Sequence, residues 1–111
     1  MSLLQDLPPE LAARAAPGAE GSSEVAWSKP DALAVLAHLA DSAATLGGDV
    51  LSRSGGRTAH TYDNWYCQRI DGESWPSYAQ RSRAAAEEYV RRYPDPEDGS
   101  ILFVLTVSNG A

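Results

Sequence analysis

The sequence predicts an α+β domain, with a small, mainly antiparallel sheet of about three strands and two main helices packed on it. Three observations carry that reading. Two segments have apolar residues at three- and four-residue spacing, and each opens on a serine followed by a proline. The tetrapeptide Ser54-Gly55-Gly56-Arg57 separates two strand-like segments in the manner of a hairpin. Ser100 to Val107, SILFVLTV, is almost wholly apolar.

The elements follow in order. Residues 3–16 fit a short helix, with Pro8 or Pro9 in its first turn and Leu11, Ala12 and Ala15 after it. Pro17 to Ser23, PGAEGSS, reads as a flexible joint. The organisation is therefore an N-terminal helical arm and joint over 1–23 and a single α+β domain over 24–111. Glu24 to Trp27 is an extended approach. Ser28 is a helix N-cap, with Pro30 in the first turn and Asp31 as an acidic variant of the capping box. The stripe of Leu33, Leu36, Leu39, Ala40 and Ala43 carries this helix to about Leu46, where Gly47-Gly48 would stop it as a left-handed cap.

Asp49 to Arg53 forms a strand and Thr58 to Arg69 its returning partner, rich in residues that suit a pleated surface. Ile70-Asp71-Gly72 turns the chain. Ser74 caps a second helix with Pro76 in its first turn, and Tyr78, Ser82, Ala85, Tyr89 and Tyr93 share one face. Pro94 and Pro96 end it. The apolar run Ser100 to Val107 takes the centre of the sheet, covered on at least one face.

Composition narrows the function. Hydrophobic residues make up 43% of 111 residues, enough for one modest core but not for a core plus a deep substrate cavity. The longest apolar run, Ile101 to Leu105, is far too short to cross a bilayer. MSLLQDLPPEL lacks the basic and apolar regions of a secretory signal, so a cytoplasmic protein is expected. The single cysteine forms no internal disulfide. Net charge is −6, from 15 acids against 9 bases. An acidic chain does not bind nucleic acid by neutralising phosphates, and it is steered towards basic proteins. The same charge also serves solubility, so charge alone names no partner.

The candidate chemistry is sparse. Cys67 with His60 lacks the surroundings of a cysteine nucleophile, and a small buried hydrophobe is the competing role. Asp49, Asp63, Asp71 and Glu73 could form an acidic metal cluster, but their spacing matches no calcium loop. Gly47-Gly48-Asp49 follows a predicted helix, whereas a phosphate loop precedes one. Trp65, Tyr66, Trp75 and Tyr78 concentrate aromatic area, which serves interface hot spots and cores equally well. On an ideal strand Trp65 and Cys67 share a side, which leaves a core position open to Trp65. Glu87 with Arg91 and Glu88 with Arg92 are helix-surface ion pairs.

Several segments together resemble one family. The order EVAWSKPDAL, LGGDV (Leu46 to Val50), DNWYC (Asp63 to Cys67) and GESWPSYAQRS, with Glu73, Ser74, Tyr78, Arg81 and Ser82 in place, is similar to the bacterial immunity protein 40 family from about Glu24 to Val107. The resemblance implies a cytoplasmic antidote in a polymorphic toxin system, which binds a cognate toxin domain and blocks it by occlusion. It implies neither an active site nor a cofactor. The acidic balance suits a basic nuclease as the toxin. The residues expected to face it are Asp49, Asp63, Trp65, Tyr66, Glu73 and Trp75, with acids meeting cations and aromatics supplying desolvated anchors. The rivals are a small enzyme using Cys67 or the acidic cluster, and a structural or regulatory subunit that dimerises through its sheet edge. The chain is expected to act as a monomer or a homodimer.

Overall fold

The computed structural model describes residues 6–19 and 21–110. The elements are α1 (Pro9–Ala12), β1 (Ala16–Pro17), β2 (Val25–Ala26), α2 (Lys29–His38), β3 (Ala44–Ser54), β4 (Arg57–Tyr66), α3 (Trp75–Arg92) and β5 (Ile101–Ser108). The α+β class holds. β4, β3 and β5 form an antiparallel three-stranded sheet in that order, and β1 pairs with β2 in a two-stranded ribbon.

Both main helices start where the sequence predicts. The Ser28 hydroxyl accepts from the Asp31 N–H and the Ser74 hydroxyl from the Ser77 N–H, each with a proline in the first turn. The hairpin also forms as expected. Gly55 and Gly56 both take positive φ, 57° and 79°, as a two-residue turn matching the strand twist requires.

The helix predicted to reach Leu46 instead ends at His38. Leu39 turns to extended backbone, and the chain from Ala44 onward enters the middle of the sheet. There Ala44 and Thr45 pair with Ser108 and Val107, and both are buried. Pairing with β5, joined by β4 from Gly47 onward, outweighs the helical spacing of Ala40 and Ala43. Gly47-Gly48 is consequently not a helix cap but part of the central strand. A Cβ on Gly47 would overlap the Trp65 carbonyl and lie 2.8 Å from Tyr66 Cα. One on Gly48 would overlap the Val104 carbonyl and the Trp65 ring. Glycine is needed here for close approach of strands and ring rather than for a left-handed turn.

Three further expectations change. β5 is an edge strand of the three-stranded sheet, and the longer β3 takes the centre. β5 is nonetheless almost wholly apolar because it is covered on both faces, and its outer edge is capped where Trp27 and Phe103 exchange backbone hydrogen bonds of 2.8 and 2.7 Å. β4 stops at Tyr66, short of Arg69. The arm's helix is only Pro9–Ala12, and residues 3–5 of the predicted helix lie outside the described residues.

α2 and α3 pack on one face of the sheet. Val35, Leu36, Ala86 and Val90 meet Trp27, Val50, Phe103 and Leu105, and the arm adds Leu7 and Leu11 to this same core. The buried line of α3 is Tyr78, Ala79, Ser82, Ala86 and Val90, rotated slightly from the predicted stripe, so that Ala85, Tyr89 and Tyr93 are only half-buried. The opposite face is covered over part of its area, where Ala16, Ala19 and Ala26 close over Leu51, Leu102 and Val104. The remainder of that face, where Asp49, Asn64, Tyr66 and Thr106 surround the buried Gly47, is open.

Candidate interaction surface

The open surface grows from the alternation of β4. Gly48 lies opposite Trp65, and Gly47 lies opposite Tyr66. Opposed residues share a face, so Trp65 turns to the helices and Tyr66 to the outside. Trp65 stacks on Tyr89 with centroids 4.5 Å apart and planes at 24°. Its indole Nε1 is buried without an acceptor, so the ring acts there through packing. Tyr66 is 76% exposed and makes no such contact.

Asp49 lies opposite Asn64 on the outer face, one step along from the Gly47–Tyr66 pair. With Thr106 of β5, opposite Gly47 on its other side, these residues rim a shallow concavity of about 260 Å³. Asp49 is half-buried, and its carboxylate has no hydrogen-bond or ion-pair partner among the described residues. Asn64 donates from Nδ2 to the Tyr62 carbonyl at 3.3 Å.

Beyond Asn64 the ladder breaks. Asn64 pairs with Asp49 and His60 with Leu51, so Thr61, Tyr62 and Asp63 stand opposite Val50 alone. This bulge is pinned by Thr61, whose hydroxyl donates to the Val50 carbonyl at 2.9 Å and accepts from the Asp63 N–H at 3.0 Å. Tyr62, at its apex, has φ of 70° and is 85% exposed. A bulky residue held in left-handed backbone costs about 1–3 kcal/mol, a strain that collects at functional sites. Asp63 follows and accepts from the Tyr93 hydroxyl at 2.6 Å. That bond, before burial, raises the Tyr93 pKa.

The other candidates stand apart from the notch. Glu73 accepts from Arg81 through both oxygens at 2.8 Å, and from the Ile70 N–H at 3.1 Å. The Arg81 hydrogen bond is the main reason its pKa falls from 4.5 to about 2. Arg81 also donates to Cys67 Sγ at 3.0 Å and to the Gln68 carbonyl at 2.8 Å. Glu73 and Arg81 therefore clasp the β4–α3 loop to the helix. Trp75 is half-buried, donates from Nε1 to the Ser42 carbonyl at 2.7 Å, and carries the Arg69 guanidinium 5.6 Å above its ring.

The structure thus brings Asp49 and Tyr66 together, places Asp63 on the adjoining bulge with its carboxylate bound to Tyr93, and gives Trp65, Glu73 and Trp75 partners inside the molecule. Asn64, Thr106, Gly47 and the apical Tyr62 join the surface without having been singled out as binding residues. The paired glycines within a β-rich segment were their one visible signal, because a strand glycine often marks close backbone approach. Nothing in the residue types around Tyr62 signals its positive φ.

The proposed chemical rivals can also be located. Cys67 is half-buried beside Leu46, Trp75 and the Tyr78–Ala79 core, while His60 contacts Tyr62 with centroids 6.0 Å apart. Among the described residues, no group of three or more His, Cys, Asp or Glu is placed to hold a metal ion. Among those residues, too, no helix is long and apolar enough to cross a membrane.

Comparison with known proteins supplies a family. The sequence model for Immunity protein 40 matches residues 18–107. No curated protein and no solved structure gives a significant match. The match begins just after β1 and spans β2, both main helices and the three-stranded sheet up to Val107, including the open face and the bulge, and the chain belongs to the immunity protein 40 family.

Proposed function

We propose that this protein is the cytoplasmic antidote of a polymorphic toxin system and neutralises its cognate toxin domain by lying over it, with the open sheet face and the β4 bulge as the contact. One observation carries this beyond family membership. The large hydrophobic residues exposed among the described residues are Tyr62, Tyr66 and Ile70, all within one short stretch of chain, with Tyr66 on the same concavity as Asp49. Tyrosines bring large apolar area with a polar tip and little rotamer freedom to lose, and they recur as the desolvated anchors of interfaces.

Tyr62 and Tyr66 serve as the anchors. Asp49 and Asp63 meet cationic groups on the toxin, in keeping with the net charge of −6 and with a nuclease, whose phosphate-binding surface is basic. Trp65, Glu73 and Trp75 hold the surface in shape from behind. The protein then works by binding alone and needs no cofactor.

Co-expression with the C-terminal toxin domain encoded immediately upstream tests this reading. Cells survive if it holds, and a pull-down recovers a complex. Failure to rescue sinks it. Cys67→Ala should protect as well as the parent, whereas a folded Cys67→Ala protein that no longer protects would favour thiol chemistry instead.

A further inference from the structure

We infer that the concavity over Gly47 is a receptor for one cationic side chain, arginine or lysine, presented by the protein partner. This rests on the open face being the toxin-facing surface. The floor is made by an omission in the sequence. Gly47 is the middle residue of the row Tyr66–Gly47–Thr106 across the sheet, and it projects no side chain. Strands are about 4.8 Å apart, so the flanking side chains stand roughly 10 Å from each other, with no side chain between them above the buried Gly47 backbone. The position cannot be filled by a larger residue, because a Cβ there meets Trp65 and Tyr66 backbone.

Asp49, Asn64 and Tyr66 on the rim favour a cation, and the Thr106 hydroxyl can accept from one. Asp49 supplies a half-buried carboxylate that no cation of the described chain neutralises. The next charged residue along β3, Arg53, is directed instead to the Gly99 carbonyl at 3.3 Å. Asn64 uses Nδ2 on the Tyr62 carbonyl, which leaves its Oδ1 as an acceptor. Tyr66 offers a largely exposed ring face, the negative end of an aromatic quadrupole. Asp49 and Tyr66 are diagonal neighbours about 7–8 Å apart, a gap that a guanidinium or ammonium bridges with the carboxylate on one side and the ring on the other. An anion is repelled by Asp49. A neutral guest leaves that carboxylate desolvated and unpaired, which opposes its binding.

The test uses the folded protein and a defined probe. Amide spectra of isotope-labelled protein are followed during titration with N-acetyl-arginine amide, and separately with N-acetyl-citrulline amide, its neutral isostere. Saturable shifts at Gly47, Gly48, Asp49 and Asn64 are expected from the first and not the second. Asp49→Asn, with its spectrum otherwise unchanged, should weaken the response at least tenfold. It should also weaken affinity for the upstream toxin domain by a similar factor in calorimetry. Equal responses to arginine and citrulline, or a toxin affinity untouched by Asp49→Asn, would overturn the assignment. A protein that protects cells but gives either result loses the cation notch and keeps the immunity reading. One that binds the amide but does not protect loses the immunity reading.

Discussion

Trp65 and Tyr66 are neighbours on β4, yet they serve opposite faces of the molecule. Trp65 is stacked on Tyr89, and its ring approaches Gly48 so closely that no Cβ fits there. Tyr66 crosses the same pair of glycines on the other side and points into solvent. The covered face uses aromatic area to exclude water within the fold. The open face leaves aromatic area exposed. Aromatic content therefore says little until the strand register states which face each ring is on.

The largest effect that would sharpen this contrast is expected on the covered face. Gly48→Ala places a methyl against the Val104 carbonyl and the Trp65 ring. It should cost about 3 kcal/mol of stability, the upper end for overpacking, measured as a shift of the denaturation midpoint. A variant as stable as the parent would show that the strand and ring are not in close contact. Tyr66→Ala should do the reverse. Stability should stay within about 0.5 kcal/mol, as for an exposed position, while toxin affinity falls by about 2 kcal/mol, roughly thirtyfold, as for an interface anchor. If it unfolds the protein instead, the division between the faces is lost.

Ser82→Ala probes the covered face more gently. The Ser82 hydroxyl accepts from the buried Thr45 N–H at 3.0 Å and donates to the Ala79 carbonyl at 3.1 Å. Its removal strands that amide and should cost about 1–2 kcal/mol, read from the same denaturation curves, with toxin affinity unchanged in the folded fraction. Glu73→Gln should give the smallest effect at neutral pH, because its partner Arg81 is partly exposed and the pair is screened. Its signature is pH dependence. The Glu73 pKa lies below its ordinary value, at about 2 instead of 4.5, so the folded state favours the charged form. That stabilisation is complete above pH 4.5 and disappears as pH falls through 2. The parent should lose stability across this window more steeply than Glu73→Gln. Parallel curves would remove the clasp from any role in folding.

The elements most legible in the sequence were those with local causes. Ser28 and Ser74 marked both helix starts because an N-cap bonds its own first turn. Gly55-Gly56 marked the hairpin because only glycine takes that pair of positive φ angles without strain. Pro94 marked the end of α3. The candidate site was less legible. Tyr66 and Asp49 are residue types suited to an interface. Trp65 and Glu73 are the same types, and both are engaged internally. The bulge that lifts Tyr62 was not legible at all, because it arises from a mismatch in length between paired strands and not from a local preference.

The sequence by itself determined the class of fold, both helix starts, the hairpin turn and the family resemblance. Each depends on interactions between residues close along the chain, or on a pattern of residue types. Only the tertiary structure decided where α2 ends, that β3 and not β5 is central, and which aromatic rings face outward. These follow from contacts between distant segments. Ala44 and Thr45 find partners in β5, and Gly47 and Gly48 admit Trp65 on one side and leave a notch on the other. The free energy of such pairings outweighs local helical preference by amounts that no short window of sequence contains.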